Sequence, residues 1–131
     1  LYLCGNQISD VSFLRGNNMI VELFLSENNI ADISFLEGNT SLSELFIFKN
    51  QVTNVYSVRN TNITRLFIHD NQISDVSVLY DTQTIEHITL ENNRLHKDIV
   101  SYMTRIAKLN KENKALRYVT LFDLLKASLK L

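Results

Sequence analysis

The chain has 131 residues and a mass of 15.1 kDa, which is the length of one ordinary domain. Apolar residues make up 45% and charged residues 21%, a globular rather than a disordered composition, and no apolar run is long enough to span a membrane. The net charge of −1 argues against a general nucleic-acid binder, and the single cysteine, Cys4, excludes an internal disulfide framework.

The charge is unevenly distributed along the chain. Residues 1–95 carry five Lys or Arg and eleven Asp or Glu, a charge of −6. Residues 96–131 carry eight Lys or Arg and three Asp or Glu, a charge of +5. We therefore expect an acidic body at 1–95 and a basic tail at 96–131. No basic segment followed by an apolar stretch stands at the start, so a cytoplasmic or nuclear location is favoured over secretion.

A repeat of about 22 residues organises the acidic body. Its most regular mark is an asparagine that recurs at intervals of 22, 22, 21 and 22 residues. The five positions are Asn6, Asn28, Asn50, Asn71 and Asn93. Around each one the same frame returns, aliphatic-x-aliphatic-x-x-Asn-x-aliphatic, as in Leu23-x-Leu25-x-x-Asn28-x-Ile30. Five copies in register predict a repeat fold, because chance does not produce so many matched positions.

Each copy predicts the same series of elements. The aliphatic-x-aliphatic unit is a short strand with its aliphatic side chains in the core and the intervening side chains outward. The Asn follows where the chain turns off the strand, and its amide can satisfy backbone groups there and stack into a ladder. An Asp-Val/Ile-Ser segment such as Asp32-Ile33-Ser34 comes next, with its Asp placed to cap a 3₁₀ turn. The period is too short for a full α-helix, so the return path should be 3₁₀ or extended.

This frame resembles the leucine-rich repeat, specifically the short 22-residue class seen in the nuclear regulatory subunit of protein phosphatase 1, an axonemal dynein light chain and bacterial internalins. The resemblance covers residues 1–95, about five repeats with the first incomplete. It implies an α/β solenoid, a right-handed superhelix with a parallel sheet on its concave face, and a binding scaffold rather than an enzyme. The Pro that internalins often place after Asp-Ile-Ser is missing. Because the chain starts inside a strand at Leu1, we expect further sequence upstream.

The basic tail has a different pattern. Apolar residues at 99, 102–103, 106 and 109 fit one face of a helix, and a second apolar segment follows over 116–129. We expect these helices to form a C-terminal cap that seals the last repeat near Leu90 and Leu95. A helix docked on a partner, or a basic amphipathic helix at a membrane surface, would give the same pattern.

The outward strand positions form three columns across the copies. The first column is Glu22, Glu44, Arg65 and His87; the second is Tyr2, Phe24, Phe46, Phe67 and Thr89; the third is Cys4, Ser26, Phe48, His69 and Glu91. Strands ~4.8 Å apart should bring the three Phe side chains of the second column into a contiguous aromatic row, with Phe48 beside it. Contiguous exposed aromatics mark binding surfaces, although rings stacked across strands can also serve only to stabilise a sheet.

The predicted partner-binding residues therefore lie on this outward face. They are Phe24, Phe46, Phe48, Phe67, His69, Glu22, Glu44, Arg65, His87 and Glu91. The three Glu side chains form an acidic rim, which favours a partner with Lys or Arg around an apolar anchor.

Catalytic and metal-binding arrangements have little support in the sequence. His69 and His87 lie in different columns, so no metal site is predicted, and His69 is expected to pair with Glu91 in its own column. Cys4 has no obvious base beside it, and no Gly-rich phosphate loop or CxxC motif is present.

The sequence thus predicts a non-enzymatic scaffold without a cofactor that binds a protein partner on its concave face. Nucleic acid, membranes and small-molecule substrates are not expected as partners. Two other functions fit the same repeats. The array could be a structural building block of a larger assembly, or it could be the recognition domain of a larger multidomain protein.

Overall fold

The computed structural model describes residues 1–82 and 84–95. The boundary at residue 96, the two predicted tail helices and their contacts with Leu90 and Leu95 lie outside the described residues. Within the described residues, no helical segment has the length and hydropathy that a transmembrane span requires.

One parallel sheet runs through the described residues, with its strands in chain order. Its four strands are β1 (Glu22–Phe24), β2 (Glu44–Phe46), β3 (Arg65–Phe67) and β4 (His87–Thr89). In each strand the middle residue is buried and the residues on both sides are at least partly exposed, as the alternation of side chains along a strand requires. The predicted parallel sheet is therefore confirmed.

The register pairs equivalent positions of successive copies. Leu23 pairs with Leu45, Leu45 with Leu66, and Leu66 with Ile88. The first copy joins the sheet through a single parallel bridge from Tyr2 to Phe24. The three columns predicted from the sequence consequently lie side by side on one face, which we call the open face of the sheet.

Short 3₁₀ turns, which we label η1–η4, form the return path of the copies. They are η1 (Ser12–Leu14), η2 (Ser34–Leu36), η3 (Tyr56–Val58) and η4 (Ser77–Asp81). Residues 1–82 and 84–95 hold strands and 3₁₀ turns but no α-helix, and the expected helices of the tail fall outside the described residues. The prediction of 3₁₀ turns on the return path is confirmed.

The predicted Asp cap is present at three of the four 3₁₀ turns, two residues before the first residue of η1, η2 and η4. The Ser34 N–H donates to Asp32 Oδ1 at 2.8 Å, and the same bond joins Ser12 to Asp10 and Ser77 to Asp75. These backbone and hydroxyl hydrogen bonds from the serines stabilise the ionised carboxylates and lower the pKa of all three Asp side chains.

A single apolar core lies between the sheet and the 3₁₀ turns. Its centre is formed by the inward strand residues, such as Leu45 and Leu66, and by the last residues of the turns, such as Leu36 and Val58, all with no exposed surface. Because every copy contributes the same inward aliphatics, the core is continuous along the array rather than divided into separate clusters.

One copy is a residue shorter than the others, and the difference lies in one loop. Four residues lead from Asn39 to Leu42 before β2, whereas three lead from Thr61 to Ile63 before β3. The strand register absorbs the deletion, because Glu44 pairs with Arg65 at an offset of 21 residues.

Candidate functional site

Stacked aromatic rings occupy the second column of the open face. The ring centroids of Tyr2 and Phe24 are 4.3 Å apart, and those of Phe24–Phe46 and Phe46–Phe67 are each 4.4 Å apart. Neighbouring ring planes differ by 13°, 9° and 8°, so the rings lie face against face. We call these four residues the aromatic row; its Phe members are half-buried and Tyr2 is exposed.

The geometry of the stack determines what the aromatic row can offer to a ligand. Phe24 and Phe46 have a neighbouring ring over each face, so only their edges remain open. Ring edges carry partial positive charge and apolar C–H groups. These ring edges pack well against aliphatic side chains. They do not attract cations, because a cation binds over an open ring face.

The first column flanks the row with charges that are partly neutralised. Arg65 Nη1 lies 3.3 Å from Glu44 Oε1, and its guanidinium carbon is 5.5 Å from the Phe67 ring centroid. The His87 ring is tilted by 43° against Phe67 at 5.1 Å. The expected acidic rim is therefore weaker than the sequence suggests, because Glu44 is in an ion pair. Among the described residues, Glu22 and Glu91 are the rim carboxylates outside any ion pair.

The third column departs from expectation at His69. The expected pairing of His69 with Glu91 is wrong: Nδ1 shares a 2.7 Å hydrogen bond with Thr89 Oγ1, and Nε2 lies 3.9 Å from Asp70 Oδ2. The imidazole stacks on the Phe48 ring with centroids 4.5 Å apart and planes 10° from parallel. Stacking on Phe48 restricts the orientation of the imidazole, and its two nitrogens meet Thr89 and Asp70 instead of Glu91.

The third column also contains a buried hydroxyl where an outward side chain was expected. Ser26 is only 1% exposed, and within the described part of the chain its Oγ has no hydrogen-bond partner. Cys4, the neighbouring member of the column, is exposed. Because the Ser26 side chain is short, surrounding atoms cover it, and it offers no polar contact to a partner.

The repeated asparagines form a hydrogen-bonded ladder at the end of each strand. Asn50 Nδ2 donates to Leu25 O in the preceding copy and to Ile47 O in its own, both at 3.1 Å. Its Oδ1 accepts the Ile30 N–H at 2.9 Å. The same three bonds are made by Asn28, Asn71 and Asn93. Asn6 is exposed and bonds only within its own copy.

A solved structure shares this architecture. An internalin (inlF) from Listeria monocytogenes str. 4b F2365 is 31% identical to this chain, with a TM-score of 0.64. The match covers 71% of this chain.

The described residues form a leucine-rich repeat solenoid. Each copy contains a strand, a ladder asparagine and a 3₁₀ turn, which is the repeating unit expected of a leucine-rich repeat. The chain spans 28% of the length of the internalin chain that it matches. No family model matches the sequence, and no curated protein does so at a significant level.

A second set of asparagines on the solenoid was not recognised in the sequence. Asn39 Oδ1 accepts the N–H groups of Ser41 and Leu42 at 3.1 and 2.9 Å, and its Nδ2 donates to Asn17 O at 2.9 Å. Asn17 Oδ1 accepts the equivalent N–H groups of Met19 and Ile20 one copy earlier. The 22-residue interval between the two asparagines was the available signal. In the shorter copy Thr61 takes this position and donates to Val58 O instead.

Metal binding has no geometric support in the described part of the solenoid, where no three His, Cys, Asp or Glu side chains cluster as ligands. Within the same described part, the open face instead carries stacked aromatic rings, one Arg–Glu ion pair and the unpaired carboxylates of Glu22 and Glu91.

Proposed function

We propose that this chain is a protein-interaction module that binds a partner protein on the open face of its sheet. The observation that carries the proposal is the aromatic row, in which four successive copies place rings face against face. Half-exposed rings in an unbroken strip are unusual on a protein surface unless another molecule covers them.

The row also supports a specific chemistry for the partner. Because the ring faces of Phe24 and Phe46 are covered by neighbours, the partner should present aliphatic side chains, or methionine, to their edges. Burying one ring contributes about 1.5–3 kcal/mol, and the entropy lost on association offsets part of the total. Glu22 and Glu91 favour Lys or Arg at the two ends of this apolar contact and would increase the association rate.

The shape of the array fits this use. We propose that it belongs to the short 22-residue class, because paired strand residues are offset by 22, 21 and 22 positions. A right-handed superhelix follows from the strong preference for right-handed crossovers between parallel strands. In a solenoid of this kind, the distance between strands of successive copies is shorter than the distance between their 3₁₀ turns. The sheet should therefore lie on the inner, concave side of the curve.

The central ring gives the sharpest test of the binding face. We expect Phe46→Ala to weaken partner binding at least tenfold, which corresponds to about 1.4 kcal/mol. Phe13→Ala is the matched control, because Phe13 is an aromatic of η1, 65% exposed and far from the row. Partners captured on the immobilised wild-type chain would be identified by mass spectrometry and then titrated against each variant.

Folding and binding must be separated in this test, because Phe46 lies between two stacked rings. A thermal melt of each variant provides that control, and Phe46→Leu retains apolar contact while removing the stack. Partner affinity unchanged in Phe46→Ala, with both variants folded, would contradict the proposal.

A second function has an observation of its own. Phe13, Met19, Val21 and Tyr56 are each more than half exposed and lie outside the aromatic row. Such a distribution favours a building block whose other faces are covered in a larger assembly or by other domains of a longer protein. Loss of binding in Phe13→Ala, with Phe46→Ala unaffected, would support this function instead.

A further inference from the structure

The third copy breaks the repeat pattern on the 3₁₀ side of the solenoid. Asn54 and Tyr56 stand where the other copies have Asp and Ser. The Tyr56 N–H donates to Asn54 Oδ1 at 2.6 Å, so η3 keeps its cap although the carboxylate is gone. The substitution therefore leaves the turn intact and changes only what the surface presents.

Tyr56 stands between two depressions that both include its side chain in their walls. The larger has a volume of about 470 Å³ and extends toward η2, with Asp32 and Glu37 among its lining residues. The smaller, about 200 Å³, extends toward η4 and includes Asp75 and Val78. Tyr56 itself is 59% exposed and contributes to the lining of both depressions.

The Tyr56 ring differs from the rings of the open face in what it exposes. All ring-to-ring contacts found among the described residues lie on the open face, and none involves Tyr56. Arg59 Nη1 donates to the Tyr56 hydroxyl at 3.2 Å, a contact at the edge of the ring. Tyr56 therefore offers an open aromatic face, which is the surface that attracts a cation.

Carboxylates flank this ring on both sides. Asp32 and Asp75 each cap a turn through Oδ1, and each lines the depression on its own side of Tyr56. Hydrogen bonds from the turn serines lower the pKa of both groups, so they remain ionised in mildly acidic solution. Glu37 is already paired with Arg15 at 3.6 Å, and Arg15 also donates to Ser34 Oγ.

We propose that Tyr56, Asp32 and Asp75 form a second recognition site, which takes an arginine side chain of a protein partner. A guanidinium is planar, so it can stack on the tyrosine face while its N–H groups reach a neighbouring carboxylate. A lysine ammonium can satisfy one of these contacts but does not stack in the same way. The site lies across the core from the aromatic row, and the two surfaces do not depend on each other.

Three short peptides test the site on the full 131-residue chain. They are acetyl-Gly-Arg-Gly-amide and its Lys and citrulline counterparts, titrated into ¹⁵N-labelled protein at low salt. We expect amide shifts at residues 32–34, 53–56 and 75–77 with the Arg peptide, weaker shifts with Lys, and none with neutral citrulline. Equal shifts with the citrulline peptide would overturn the proposal, because charge would then play no part.

Variants of position 56 isolate the ring. Tyr56→Ser restores the residue of the other copies, so the turn should fold, and we expect the Arg peptide to bind about fivefold more weakly. Tyr56→Phe retains the ring and should bind as the wild type does. Unchanged affinity in Tyr56→Ser would overturn the proposal. Phe46→Ala should leave this titration unaffected, so the site and the proposed function can fail separately.

Discussion

At the scale of single residues, the ladder asparagines make hydrogen bonds that no apolar residue could make. Each of the amides of Asn28, Asn50, Asn71 and Asn93 hydrogen-bonds four backbone groups drawn from two copies, as Asn50 does with Ile30, Leu25, Ile47 and Phe48. The backbone at these turns has left the sheet, so its polar groups would otherwise be buried without partners. The ladder is thus a stabilising device rather than a part of the binding face.

Replacing one ladder asparagine should show this directly. Asn71→Ala removes the partners of the Val52 N–H and of the Ile47 and Ile68 carbonyls. We expect the free energy of unfolding to fall by about 1–3 kcal/mol, measured by urea denaturation. Asn6→Ala is the control and should change little, because Asn6 is exposed. A similar fall in the free energy of unfolding of both variants would contradict a stabilising role for the buried ladder amides.

Ser26 should respond in the opposite direction from an ordinary buried serine. Its hydroxyl is buried without a partner, so Ser26→Ala should leave stability unchanged or raise it by up to about 1 kcal/mol. Ser57 is the matched control: its Oγ donates to Ile33 O at 2.9 Å, and Ser57→Ala should destabilise the fold by about 1 kcal/mol. Thermal melts of both variants measure these changes in stability. A marked fall in the melting temperature of Ser26→Ala would show that the hydroxyl has a hydrogen-bond partner.

At the scale of elements, the 3₁₀ turns depend on carboxylate caps that titrate. Asp10, Asp32 and Asp75 have a lowered pKa in the folded chain because serine N–H and hydroxyl groups bond their ionised forms. A depressed folded pKa stabilises the protein above the unfolded value of about 3.9. That contribution is lost as the pH falls through the lower, folded value.

Acid unfolding should therefore depend on these caps. We expect the unfolding free energy to decline below about pH 4, and Asp75→Asn to make the decline shallower, because an amide caps without titrating. Asn54 already caps η3 in this way. Urea melts between pH 2 and pH 6 would measure the slope. Identical slopes in wild type and variant would show that the Asp75 cap does not contribute.

At the scale of the whole molecule, the sequence predicts the features that periodicity produces. The strand positions, the three columns, the ladder and the 3₁₀ turns all repeat, so each copy corroborates the others. Features that occur once were not predictable in that way. The Glu44–Arg65 ion pair and the His69–Thr89 bond depend on side-chain torsions, and the Tyr56 site depends on a departure from the pattern. The aromatic row belongs to the features that periodicity predicts, whereas single contacts such as these had to be seen in the structure.

The short loop before β3 has a consequence for how such a molecule changes over generations. Despite the missing residue, Phe46 and Phe67 stack at the same 4.4 Å as Phe24 and Phe46. The strand pairing and the asparagine ladder keep the copies aligned, so a deletion in this loop leaves the outward side chains in place. A deletion inside a strand would instead move its side chains to the opposite face of the sheet. Insertions and deletions can accumulate there as neutral variation. A lineage can therefore alter the spacing of its repeats, or duplicate them imperfectly, while the stacked rings of the open face stay in register.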